Sequence, residues 1–570
     1  MKNIFKISTI ILTAAVLASG CIKETFPKGS TVTKEQLEQS DNALNYMLSG
    51  IPAAMMNSGT AGFAGTYGFH GDFGISAIHL ATESMLEDIA ILGELGYYWF
   101  ASYYQNTSQG SDYIWCAFFW NQYYKWIKLA NEIINVVGEV TEDTSESAKS
   151  ALGQAYTYRA MYYLDLARLY EYKPNNILAT DQSLLGLTVP IVKEDTDEEK
   201  AKNNARATRE ELYTFIIQDL KKAEEYLKDG LNSYTAPGIA AVYGLYARLY
   251  LELGATYADP EQASTYEIPA TWTLTSSEAY EKAAYYARKV IDMKLHTPLT
   301  QAQWEDPKSG FNDGTSNKSW IWGLTVSAEN LSNLIANIAH RSCEALYGYA
   351  VWTQLGVNQA LYNQINDDDF RKHSWYDPDL NYAYQFAGSA DEQKGFVNGS
   401  MYNYPAVKYE SLKFRPADGN VMDYTVGNCA DWPLMRIEEM YFIEMEAQLN
   451  LDGGLEKARE LLNEFMQEYR YAEYDCSTMT LSKPAFIKEM MLQKRIEFWG
   501  EGILFFDYKR LDMGITRGYS GTNVPATATF NCEGRSPQWN IVISRLEFQS
   551  NQVIKGQNNP DPTEKLVLWK

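Results

Sequence analysis

The sequence predicts an all-α protein built on helical hairpins and interrupted by a large, irregular, aromatic-rich insertion. Three observations lead there. Apolar residues recur at steps of three and four over long stretches, such stretches come in pairs, and residues 294–433 lose that rhythm altogether. With 46% hydrophobic and 21% charged residues over 570 positions, the chain is globular and long enough to bury a large core.

The chain starts with a leader. Lys2 and Lys6 precede an apolar run over residues 7–17 that is too short to span a bilayer. Ala18-Ser19-Gly20-Cys21 then resembles a bacterial lipobox, with Leu17 one place further from the cysteine than in the strict form. Residues 1–20 therefore read as a signal peptide, Cys21 as a lipidation site and residues 21–33 as a tether. Several acyl chains on one cysteine suffice for stable anchoring. No later segment is long and apolar enough to cross a membrane. The net charge of −23 becomes more negative once Lys2 and Lys6 leave with the leader. That argues against a nucleic-acid partner, which would need clustered cations, and against electrostatic docking on anionic lipid. Cys116, Cys343, Cys429, Cys476 and Cys532 show neither CxxC spacing nor an accompanying His cluster. They read as buried free thiols rather than a disulfide framework or zinc site.

Thr33 and Gln36 have capping-box spacing, which predicts a helix from residue 34 to about 48. Gly59, Gly62, Gly65, Gly68, Gly71 and Gly74 then fall every third residue, without the prolines of collagen, and read as an ordered, tightly turning loop. Phe63, Tyr67, Phe69, His70, Asp72 and Phe73 decorate it. A helical pattern over 75–88 leads to the aromatic run Tyr97-Tyr98-Trp99-Phe100, a polar loop at 105–111, and a long helix over 113–137.

Hairpins follow. Residues 151–171 pair with 208–228, where Thr208 and Glu211 make a capping box; residues 237–254 pair with 276–293. Residues 435–449 and 455–469, joined by Asp452-Gly453-Gly454, form the clearest pair, and small residues such as Ala447 and Ala458 let its helices approach. Its length fits a tetratricopeptide-like hairpin, although unrelated helix pairs would give the same periodicity. The final organising stretch, 481–514, starts with Pro484 in a first helical turn and carries Ile487, Met491, Leu492, Ile496 and Trp499 on one face, with Lys488, Lys494, Arg495 and Glu497 on the remainder. Gly500-Glu501-Gly502 should break that helix, and the run 505–510 packs back.

These motifs resemble the SusD/RagB family. An early family helix of the form AxxxAxxxRAxxYxxLxxxY is matched by Ala151, Ala155, Arg159, Ala160, Tyr163, Leu166 and Tyr170, followed by the strand-like Val189-Pro190-Ile191. Arg436-Ile437-Glu438-Glu439 with Glu446-Ala447 is similar to a second family helix. Lys494-Arg495-Ile496-Glu497-Phe498, Glu501-Gly502, Asp507 and Arg510 match the C-terminal signature, and Glu547, Asn551, Gln557 and Asn558 the closing motif. Leu504 departs from it, standing where the family usually has Arg. The resemblance implies a SusD-like fold, with a helical part over 34–293 and a second part over 294–570 that contains the insertion 294–433 and the hairpin 434–514. It implies a lipoprotein, exposed at the outer-membrane surface, that is not an enzyme. Such a protein caps a SusC-like TonB-dependent transporter and holds a glycan, or in some members a peptide, over it.

The chemistry agrees. Tyr 42 and Trp 14 against Phe 22 is a bias toward rings with a polar handle, which cover the flat C–H faces of sugars while neighbouring groups bond the hydroxyls. The expected ligand-binding residues are Tyr97, Trp99, Asn106, Asp72, Trp320 and Trp322, with Trp352 and Trp375 as the second choice of platform. No cofactor is expected. His70, His79, His296, His340 and His373 form no HExxH motif, and no Gly-x-Ser-x-Gly elbow or Walker loop occurs. Asp367-Asp368-Asp369 and residues 195–199 read as solvated acidic loops without EF-hand spacing. A glycoside hydrolase with an α-helical barrel, or a tetratricopeptide scaffold that binds only protein, are the competing readings.

Overall fold

Helix propensity and capping determine most of the architecture. The computed structural model describes residues 42–56, 71–93, 100–227, 233–259, 269, 271–308, 310–329, 337–379, 386–398 and 405–570. Its long helices are α1 (Ala43–Met56), α2 (Ile75–Glu83), α3 (Ile114–Val137), α4 (Glu146–Tyr170), α5 (Arg209–Tyr226), α6 (Ile239–Ala258), α7 (Ser276–Asp292), α8 (Ile437–Leu449), α9 (Gly454–Tyr469), α10 (Lys483–Phe498) and α11 (Leu504–Arg510). The N-terminal unit ends at Tyr46, and only its residues 42–46 are described. From Met47 to Lys570 the chain forms one compact unit. Residues 34–41 and the Thr33–Gln36 cap lie outside the described residues. The first helix continues past Gly50 and Pro52 to Met56 instead of ending near residue 48.

The expected hairpins are present as packed pairs, α4 on α5, α6 on α7 and α8 on α9. They also pack on one another, α5 against α6 and α7 against α8, while α3 lies against α4. Thr208 and Glu211 form the capping box that starts α5, and Thr275 with Glu278 forms a further one at α7. Between α4 and α5, buried Arg159 reaches Asp219 through two nitrogens, each at 2.8 Å, so the motif arginine binds the first pair together. Ala447 and Ala458 are buried in the α8–α9 contact region, as small residues at a close approach should be.

The insertion differs from the helical stack. Its regular elements are short: β2 (Trp320–Leu324) pairs antiparallel with β4 (Trp432–Arg436), and β3 (Leu355–Val357) with β1 (Ile89–Ile91). A last two-residue pair joins β5 (Ile515–Thr516) to β6 (Asn531–Cys532). Val189-Pro190-Ile191 carries no strand; Thr188 N donates to the Ala207 carbonyl and Ala207 N to the Val189 carbonyl. The acidic run at 367–369 is not simply solvated. Asp369 is buried and bonds Arg371 at 2.6 Å, while Asp367 pairs with Lys372 at 2.5 Å. The cysteines at 116, 343, 476 and 532 are free and buried, and Cys429 is free and half-buried.

Helix α10 begins at Ser482, whose side chain accepts from Ala485, with Pro484 in the first turn. Of its expected apolar face, Met491, Ile496 and Trp499 are buried. Ile487 and Leu492 are partly exposed, whereas Lys494 and Glu497 are buried and ion-paired. The helix stops at Phe498, and Gly500 (φ +82°) and Gly502 (φ +84°) turn the chain into α11. Both glycines are required, since a Cβ on Gly500 would meet the Phe414 ring and one on Gly502 would meet His79. Gly502→Ala should therefore destabilise the protein by about 2–4 kcal/mol in denaturant unfolding, the sum of backbone strain and overpacking. Gly556→Ala is the control: its φ is +86° with no atom within 4 Å of the added Cβ, so only strain applies. Equal losses in the two variants would contradict the packing argument.

Candidate functional site

An aromatic column forms where separate stretches of the described chain come together. Phe73 stacks on His340 with ring centroids 4.6 Å apart, Tyr349 stacks on the same imidazole at 4.1 Å, and Phe100 meets it edge-on at 5.8 Å. In sequence, Phe73 follows the glycine-rich segment 57–70, Phe100 follows 94–99, and the turn Asn337–His340 follows 330–336. The ends of three segments rich in aromatic or polar residues thus converge on one imidazole.

Local structure explains the convergence. Gly74, at φ +71°, turns the chain directly after Phe73, and its carbonyl accepts from Ala77 and Ile78 to start α2. A Cβ there would collide with the Met55 carbonyl. From α2, Ser76 Oγ donates to Asn337 Oδ1 at 3.0 Å, and Asn337 Nδ2 reaches the carbonyls of Asn428 and Ala430. Buried Arg341 bonds Ser76 Oγ (2.9 Å), the Ser76 carbonyl (2.6 Å) and the Gly500 carbonyl (3.0 Å), and its guanidinium lies 4.1 Å from the Trp432 ring centroid. The turn carrying His340 is consequently fastened to α2, to the 428–430 loop and to the turn after α10.

The electrostatics next to the column are set by burial. Burial, followed by the charges of Arg341, Arg248 and Arg168, lowers the pKa of His79 from 6.5 to about 3, and the neutral ring accepts from Trp432 Nε1 at 3.1 Å. Glu83, one turn further along α2, receives Gly500 N and Gly502 N at 2.5 Å each. Burial raises its pKa to about 7 against those bonds and the Lys413 and Arg341 charges.

The residues expected to bind ligand do not form one surface. Tyr97 and Trp99 lie outside the described residues. Trp320 and Trp322 are in β2, not in an irregular segment, and both are buried; Trp320 packs on Tyr234 and Phe311, and Trp322 edges onto Tyr158. Asp72 is buried and accepts from Gln122 at 3.1 Å. Asn106, also buried and at φ +56°, donates to the Pro562 carbonyl and accepts from Leu566 N, so its amide secures the C-terminal segment. These four side chains serve internal packing. Trp375, from the second-choice platform, is likewise buried, edge-on to Trp499; the Trp352 side chain lies outside what is described. Phe100, directly after Trp99 in sequence, does meet the insertion, on His340. Sequence reasoning missed His340 and Tyr349 because neither belongs to a motif and their stacking is non-local.

Comparison with known proteins follows the same division of the chain. Residues 74–251 match a SusD-like family model described as starch-binding associating with outer membrane, and residues 358–559 match the SusD family model. Together they cover most of the chain. The chain belongs to the SusD family. It is 22% identical over 494 residues to SusD-like protein P2 of Formosa agariphila, covering 83% of this chain and 85% of that one. A SusD superfamily structure from Bacteroides thetaiotaomicron superposes with a TM-score of 0.65 at 19% identity, over 93% of this chain and 100% of the other. A SusD-like carbohydrate binding protein from Bacteroides vulgatus gives 0.65 at 20% identity, over 91% and 98%. The SusD-like fold is thus shown, with Phe73 directly before the first matched region, Phe100 within it, and His340 and Tyr349 in the stretch between the two.

The pKa of His79 gives this region a pH signature. Between its folded value of about 3 and 6.5, the unfolded chain takes up a proton that the folded chain refuses. Stability from this group is therefore complete above pH 6.5 and is lost as pH falls toward 3, by up to about 1.4 kcal/mol per pH unit. Urea unfolding at pH 7 and pH 4.5 should show a larger loss for wild type than for His79→Gln, which keeps an acceptor for Trp432. Equal losses would contradict this assignment.

Proposed function

We propose that this SusD-family protein is a lipid-anchored, surface-exposed glycan-binding protein that captures oligo- or polysaccharide and passes it to a SusC-like TonB-dependent transporter. It acts by binding, without catalysis. Family membership supports glycan binding and the outer-membrane location, and the leader ending at Cys21 supports the anchor. The observation that carries the site is the convergence of Phe73, Phe100 and Tyr349 on His340. It draws together the ends of segments bearing Phe63, Tyr67, Phe69, Tyr97, Tyr98 and Trp99. A sugar needs ring faces alongside hydrogen-bonding groups, and these segments supply both residue types. In this reading Tyr97 and Trp99 remain ligand-binding residues. The rings of the column are themselves buried, so the column positions the flanking segments, and the roles first expected of Trp320, Trp322, Asp72 and Asn106 pass to those segments.

The test is a glycan array on the leaderless protein, followed by calorimetry of Trp99→Ala against the glycan identified. Loss of one stacked ring should weaken binding by about 1–3 kcal/mol, or roughly five- to more than a hundredfold, with circular dichroism unchanged. Trp320→Ala should instead lower stability. Wild-type affinity in folded Trp99→Ala would overturn the assigned platform. Binding of peptides with no glycan bound would overturn the ligand class.

A further inference from the structure

Hollows that share no lining residue with the column flank the loop at 190–204, which carries the short helix Glu198–Lys202. On one side of this loop is a groove of about 720 Å³ floored by Trp120 and Tyr124 of α3, whose ring centroids are 4.8 Å apart. On the other side is a groove of about 850 Å³ between the loop, α5 and Pro269, Thr271 and Trp272, with Phe215 also in its wall. A third hollow of about 530 Å³ lies between them, and all three share Asn204 and Lys193 in their linings. The result is one track around the loop with a pair of rings towards each end. Each of its hollows is within the ~300–1,000 Å³ of ordinary ligand sites.

The lining indicates the ligand's chemistry. Among the described residues, three of its lysines pair with acids, while Lys193 has its ammonium 5.6 Å from the Phe215 ring centroid and buried Arg206 bonds backbone carbonyls. Lys202 bonds Glu198 at 2.5 Å, Lys128 lies 3.9 Å from Glu132, and Glu194 bonds Arg159 at 2.6 Å. The remaining polar lining includes the amides of Asn135 and Gln218 and the hydroxyls of Thr214 and Thr271. The Trp272 indole N–H is buried and finds no acceptor among the described residues. Acids outnumber cations along the lining, which gives no net attraction for an anion, while rings set among amides and hydroxyls suit a polyhydroxylated chain. The length of the track, with rings towards both ends, suits several sugar units rather than one.

We infer that this track is a second carbohydrate-binding site, separate from the column, that takes a run of several sugars of a neutral polysaccharide. It rests on the reading of the protein as a glycan binder and adds to it where a polymer would lie beyond the first site.

The experiment is affinity electrophoresis of the leaderless protein in native gels containing amylopectin, xylan or galactomannan, with alginate and polygalacturonate as anionic counterparts. The variants are Tyr124→Ala, Trp272→Ala and Asn135→Trp, with Trp99→Ala for comparison. Asn135 is exposed on α3, so the tryptophan fills the groove without entering the core. At least one neutral polymer is expected to retard wild type, with each track variant binding about tenfold more weakly and Asn135→Trp unfolding at the wild-type temperature. If that polymer retards Asn135→Trp and Trp272→Ala as it does wild type, the track is overturned while glycan binding stands. Retardation by the anionic polymers alone overturns the neutral ligand. Retardation by none of the five overturns the track together with the reading on which it rests.

Discussion

The buried carboxylate of Glu497 is the interaction on which the rest of the fold depends. Arg470 bonds it through Nε at 2.7 Å and Nη2 at 2.8 Å, Arg371 reaches it at 3.1 Å and Arg436 at 3.2 Å. Burial alone would raise its pKa, but the Arg470 and Arg436 charges, with Arg371 beyond them, hold it well below the usual carboxylate range. The network extends further. Arg436 also bonds Glu501 through two nitrogens at 2.9 Å, Lys413 bonds Glu501 at 2.7 Å, and Glu438 lies 3.0 Å from Arg436. Four acids (Asp369, Glu438, Glu497, Glu501) thus face four bases (Arg371, Lys413, Arg436, Arg470), so the buried charge balances. Desolvation offsets much of what such a cluster gains, but removing one member strands the others at a cost of about 3–5 kcal/mol.

The chain segments that meet there explain why this cluster matters for binding. Arg371 and Lys413 belong to the insertion, Arg436 and Glu438 to the junction of β4 and α8, Arg470 to the end of α9, and Glu497 and Glu501 to α10 and its turn. Ser319 donates to Glu438 at 2.6 Å just before β2, and Leu299 N does so at 2.8 Å. An irregular insertion has no periodic helix face to fix its position on a helical stack. Here the ions do so. Arg341 continues the connection through the Gly500 carbonyl to the His340 turn, so the aromatic column is positioned from the same turn that follows Glu497.

The sequence made the scaffold legible and left the column hidden, for a physical reason. Helical periodicity, the Thr208–Glu211 cap and the Gly453-Gly454 turn are local signals, and all three hairpins appear where those signals put them. The resemblance located the C-terminal signature, and periodicity buried Met491, Ile496 and Trp499 correctly but left Lys494 and Glu497 of α10 on the solvent side. Lys494 and Glu497 look like solvent residues until their distant partners are known. Trp320 and Trp322 looked available because no helix claimed them, yet a short strand paired with 432–436 buries both. His340 and Tyr349 carry no spacing signal at all. His340 matters through contacts with Phe73 and Phe100, more than two hundred positions away, and Tyr349 through its stacking on His340.

Hydrogen–deuterium exchange on wild type and Glu497→Gln tests the central claim most directly. If the Glu497 cluster fixes the insertion on the scaffold, the variant should exchange faster at the same time in the turn Phe370–Ser374, around Lys413, at the start of α8 and in the turn Asn337–His340. Faster exchange confined to α10, with the insertion and the His340 turn as protected as in wild type, would contradict it.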